Sequence, residues 1–113
     1  MQAFWEALYD AGADVVLVGH DHNYERFEQL GKTTTTDALG DEHPVVDPGG
    51  IREFVVGTGG KSVRNARVMR NGSQVYAKTL GVLKLTLHAA SYDWQFVPEA
   101  GATFTDSGSS TCN

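Results

Sequence analysis

The feature that most constrains this chain is the run Ala13-Asp14-Val15-Val16-Leu17-Val18-Gly19, because its centre is apolar without alternation. A strand with one wet face alternates apolar and polar residues, whereas a strand covered on both faces is apolar throughout, as in parallel sheets. Just before it, residues 2–11 place Phe4, Ala7, Leu8 and Ala11 at helical spacing. Gly12 then stands where a left-handed helix cap is wanted. A helix feeding directly into a buried strand is the second half of a β-α-β unit. No strand precedes the helix to open that unit, so the sequence reads as a fragment that begins inside a larger motif.

Beyond residue 27 the pattern changes. Residues 28–50 hold four consecutive threonines, His43-Pro44, Asp47-Pro48 and Gly49-Gly50, and read as a long surface loop or insertion. Residues 51–57 read as a strand closed by Thr58-Gly59-Gly60. Val82, Leu83, Leu85 and Leu87 mark another strand and Ala89-Ala90-Ser91 a turn. The partner strand spans residues 92–97, with Tyr92, Trp94 and Phe96 on one face. Trp94 is therefore assigned to the core, and Trp5 to the margin of the opening helix. Residues 105–113 are rich in Gly and Ser and read as a flexible tail. The predicted class is α/β: one N-terminal helix, one buried strand, then mainly antiparallel strands.

Composition narrows the functional classes. With 113 residues, the chain is one small domain. A net charge of −5 argues against a nucleic-acid partner, which clustered cations would hold. Lys61, Arg64, Arg67 and Arg70 are too interspersed to make such a surface and read as a solvated edge. No apolar run approaches the roughly 18 residues of a membrane span, so no membrane partner is expected. The N-terminus has neither a basic region nor a long apolar stretch and does not read as a signal peptide. Cys112 is the single cysteine.

The chemistry concentrates in Gly19-His20-Asp21-His22-Asn23-Tyr24-Glu25-Arg26. On extended backbone His20 and His22 project to the same side, with Cα atoms roughly 6.6 Å apart, while Asp21 points away. Two imidazoles so placed can converge on one metal, or serve two metals roughly 3.5–4 Å apart. They also follow a parallel strand at its C-terminal end, the edge where open α/β sheets bind ligands. Gly19 removes a side chain at the exit and permits close backbone approach. Tyr24, Glu25 and Arg26 read either as hydrogen-bonding supports of the histidine loop or as a solvated charged turn. Val56-Gly57-Thr58-Gly59-Gly60 reads as an ordinary turn near a pocket, Asn71-Gly72-Ser73 as a turn or a glycosylation sequon, and His43 and His88 as structural or exposed.

The string VLVGHDHNYERF resembles the last ligand block of the calcineurin-like metallophosphoesterases, with the Tyr-Glu-Arg continuation of the purple-acid-phosphatase type. GIREFVVGTGG and GVLKLTLH with the later YDW are also similar to that group. The resemblance implies the C-terminal half of an α/β/β/α sandwich, in a protein that hydrolyses phosphate esters through a two-metal-activated hydroxide. His20 and His22 would each ligate one of two metal ions, with Fe, Zn or Mn expected. Gly19, Asn23, Tyr24, Glu25 and Arg26 would support the loop or line the substrate pocket. The upstream ligand blocks of such enzymes do not occur here. The fragment is therefore expected to be inactive alone, to depend on the missing N-terminal half of the domain, and to oligomerise through the exposed half-domain surface. Similar bacterial proteins are exported, which implies an extracytoplasmic or secreted parent and a disulfide from Cys112 to an upstream cysteine. The sequence does not fit the alternating triplet of histidine-triad hydrolases or the His/Glu spacing of cupins. The alternative from another class is a non-catalytic β-rich binding or interaction module with an incidental pair of histidines.

Overall fold

The computed structural model describes residues 2–36, 38–40, 42–60 and 72–113. Helix α1 (Gln2–Asp10) ends as its sequence dictates. Gly12 takes φ 80°, Gly12 N donates to Tyr9 O and Ala13 N to Leu8 O, the paired bonds of a glycine-terminated helix. Strands β1 (Val15–Val18), β2 (Tyr24–Thr36), β3 (Glu42–Val46), β4 (Ile51–Val56) and β5 (Ser73–Ala77) form one sheet. Its order is β1-β4-β2-β3, with β5 also on β2. Strands β6 (Gly81–Leu87), β7 (Ser91–Pro98) and β8 (Asp106–Thr111) form a second, antiparallel sheet in chain order. The described chain is thus mostly β, with one short helix and two sheets.

The two sheets meet through aromatic rings. Tyr24 and Phe54 of the first sheet pack on Tyr92, Trp94 and Phe96 of the second, where strict alternation along β7 turns all three rings inward. Tyr24 and Phe96 lie 4.6 Å apart between centroids, and Phe54 meets Trp94 edge-on at 5.6 Å. A separate cluster of Phe27, Leu30 and Val55 receives Trp5 of α1, whose indole N–H donates to Gly31 O at 2.9 Å. The opening helix is thereby anchored by a partly buried ring at its margin, as the sequence suggested.

Three sequence expectations change here. First, most of residues 28–50 is not loop: β2 runs through the threonines and pairs with β3, Thr34 opposite Pro44 and Thr36 opposite Glu42. Consecutive β-branched residues favour extended backbone. Pro44 is tolerated because, among the described strands, β3 pairs only with β2, and a proline without its N–H belongs on such an edge. The Asp47-Pro48-Gly49-Gly50 turn does behave as expected, closed by Gly50 N donating to Asp47 O and Gly49 N to the Asp47 carboxylate, and residues 38–40 also form a turn.

Second, residues 105–113 are not a tail. Strand β8 pairs with β7 along its length, Gly108 opposite Trp94. A Cβ at Gly108 would lie 2.4 Å from the Trp94 ring, so the small residues are what a strand lying against a large indole requires. Third, β1 is not buried on both faces: Leu17 is 54% and Val18 37% exposed. Among the described strands it pairs with β4 alone, at the end of the sheet order, and the described residues cover it only in part.

Candidate metal-binding loop

Strands β1 and β4 are parallel neighbours in register, Val15 opposite Arg52 and Val18 opposite Val55, so both end at one edge of the sheet. From that edge emerge residues 19–23 after β1 and residues 57–60 after β4. The parallel pairing expected from the apolar run is present, and it brings His20 and His22 beside Gly57-Thr58-Gly59-Gly60.

The backbone of residues 19–23 is not extended. Asp21 N donates to Gly19 O and Asn23 N to Asp21 O, both at 2.9 Å, so each histidine is the middle residue of a three-residue turn. His20 has φ 74°, the only positive φ at a non-glycine among the described residues. This is the rarer hand of the γ-turn, and such backbone costs on the order of 1–3 kcal/mol. The strand-alternation argument for His20 and His22, and the setting aside of Asp21, both assumed extended geometry and are replaced by this double turn. His20 is exposed and His22 half-buried.

What holds the loop is Gly57, not Gly19. A Cβ at Gly19 would meet nothing within 4 Å. At Gly57 it would lie 1.8 Å from Asp21 O and 3.3 Å from His22 Cα, and Gly57 N donates to Asn23 O at 3.1 Å. The loop backbone therefore lies directly on the end of β4, where only a glycine leaves room. Next to it, Thr58 is buried and its hydroxyl donates to Gly81 O at 2.9 Å, tying β4 to β6. An open groove of 430 Å³ lies between the sheet ends, lined in part by Leu17, Gly19, Thr58, Gly59 and Val82.

Tyr24, Glu25 and Arg26 open β2 and are not a solvated turn. The Tyr24 hydroxyl donates to Asp106 Oδ2 at 2.6 Å. Arg26 grips the same carboxylate at both oxygens, 2.7 and 3.1 Å. The Arg26 and Arg52 guanidinium groups stand over the Trp94 ring, 5.1 and 4.9 Å from its centroid. Burial opposes ionisation of Asp106, but the bonds from Arg26 and Tyr24 outweigh it and hold the carboxyl below its ordinary range. Burial, then the bond to Asp106, pushes the Tyr24 hydroxyl far above its ordinary range, so it remains a donor. Glu25 is buried and accepts a bond from the Ser73 hydroxyl. Of the residues expected to support the histidines, Tyr24 and Arg26 also join the two sheets. Asp106 was missed because its role depends on a partner 82 residues away.

Asn23 is buried and its Oδ1 has no hydrogen-bond partner among the described residues. His43 in β3 is buried, and His88 is paired with Asp93 at 2.8 Å. Among the described residues no three His, Cys, Asp or Glu side chains are grouped to hold a metal. Lys61, Arg64, Arg67, Arg70 and Asn71 lie outside the described residues. Two imidazoles on adjacent turns and an orphaned amide oxygen fit part of a metal site, and four to six donors per ion are needed. The donor set among the described residues is therefore partial. Comparison with protein-family models, with curated proteins and with solved structures finds no significant match.

Proposed function

We propose that this chain is the C-terminal half of an α/β/β/α metallophosphoesterase domain, contributing His20 and His22 to a two-metal site for phosphate-ester hydrolysis. The observation that carries the reading is the placement of both histidines on a strained double turn at the shared end of two parallel strands. Strain of that kind persists where the surroundings over-determine it, and such positions cluster at ligand sites. Bound Fe, Zn or Mn would supply positive charge against the phosphate and lower the pKa of water. This chain's part is to present two imidazoles at fixed separation, with Gly57 setting the loop height. The remaining donors would come from the other half of the domain, covering the exposed side of β1. An extracytoplasmic setting follows from the same resemblance.

A second reading, a non-catalytic β-rich module with incidental histidines, is favoured by one observation: no third donor joins the pair among the described residues. Metal content separates the two. The purified chain is expected to take up Zn²⁺ or Mn²⁺ weakly, and His20→Ala with His22→Ala to abolish the uptake. In the intact protein the same double substitution is expected to remove phosphomonoester hydrolysis. Unchanged metal content and unchanged rate would leave the module reading standing alone.

A further inference from the structure

We propose that Asp106 is a positioning residue for the histidine loop, acting through Tyr24 and Arg26 from the opposite sheet. For its consequence at a metal site the proposal rests on the reading above; for the loop itself it rests on geometry alone. The loop hangs between two strand ends of unlike firmness. On one side is Val18, at the exposed end of β1. On the other is Tyr24, fully buried, packed on Phe96 and Phe104 and one residue beyond Asn23.

Tyr24 is fixed by more than packing. Its hydroxyl and the Nε and Nη2 of Arg26 converge on one carboxylate, whose side chain is 10% exposed. A carboxylate held by two charge-assisted bonds and a phenol resists displacement in any direction, because each donor constrains a different lone pair. Asp106 opens β8 and pairs with Phe96 of β7, so it belongs to the antiparallel sheet. Tyr24 and Arg26 belong to the other sheet and pair with Val56 and Phe54 of β4. The carboxylate thus sets the start of β2 against the second sheet while β4, through Gly57, sets the loop from the side. Loss of the carboxylate frees the start of β2, and Asn23 and His22 move with it.

The test uses amide exchange on the isotopically labelled chain. Three amides report the loop: Asp21 N, Asn23 N and Gly57 N, each bonded within or to it. Lys84 and Gln95, in the β6–β7 hairpin, report the sheet. In Asp106→Asn the three loop amides are expected to exchange about tenfold faster, with the hairpin amides unchanged, since local opening is read separately from global unfolding. Tyr24→Phe, which keeps the Asp106–Arg26 pair, is expected to show a smaller effect at the same amides and decides the matter if Asp106→Asn does not fold. Loop amides exchanging at the wild-type rate, or rising in step with the hairpin amides, would overturn the proposal. Zn²⁺ titration separates this result from the metal reading. If His20→Ala with His22→Ala binds Zn²⁺ as tightly as wild type, the metal reading falls while the exchange data still decide the role of Asp106. If the histidines do bind, Asp106→Asn is expected to weaken Zn²⁺ by about tenfold through loss of a fixed donor geometry.

Discussion

Gly57 is the residue whose replacement the loop can least absorb. A methyl group there would collide with the Asp21 carbonyl, which is backbone and cannot rotate aside. Gly57→Ala is therefore expected to lower stability by about 1–3 kcal/mol, the usual cost of overpacking, read from the urea midpoint. Gly19→Ala, with open space around it, is expected to change little in the same assay. Asp106 has a pH signature. Its carboxyl is held below the ordinary value, so the charged form favours the fold. That stability is complete above the unfolded pKa of about 3.9 and is lost as pH falls through the folded value. The groups facing it are Tyr24, which stays protonated, and Arg26, with Arg52 across the Trp94 ring. The difference in unfolding free energy between wild type and Asp106→Asn is expected to be constant from about pH 5 to 7 and to shrink below about pH 4.

Among the elements, β8 has the least promising sequence and the heaviest duty. Ser-Gly-Ser-Ser carries no apolar alternation, and nothing in it announces a strand. It is one because Trp94 lies opposite Gly108 and covers it. Removing residues 106–113 is expected to abolish cooperative thermal unfolding followed by far-ultraviolet circular dichroism, since Asp106 and the cover over β7 leave together. Elements whose signal is local were legible: α1 with its Gly12 cap, the β6–β7 hairpin, the three inward rings of β7, and the parallel placement of β1. The threonine run was misread because turn-forming prolines and glycines nearby outweighed the extended preference of Thr33 to Thr36. In the candidate site, the histidines and their sheet edge were visible from spacing and from the strand before them. Their double turn was not, because it follows from Gly57 pressing on Asp21. The Tyr24–Arg26–Asp106 cluster was beyond reach for the same reason, its members being joined only by folding.

As a whole the molecule is a slab with Cα extents of 40 × 39 × 19 Å. Along one rim, β1 ends its sheet with no described strand on its outer edge, and Leu17, Val18 and Val82 are exposed near the open groove. An uncovered strand edge with apolar neighbours invites pairing with another chain. The chain is expected to self-associate with rising concentration in sedimentation velocity, and Leu17→Lys to reduce that association without lowering the unfolding midpoint. The Tyr24–Asp106 bond adds a consequence in time. Its partners are separated by 82 positions, so it closes one of the longest loops in the molecule. Contacts of such long range are entropically costly to form early. During synthesis, β2 must wait for β8 to emerge before its first residue is seated, and the histidine turns are expected to mature last.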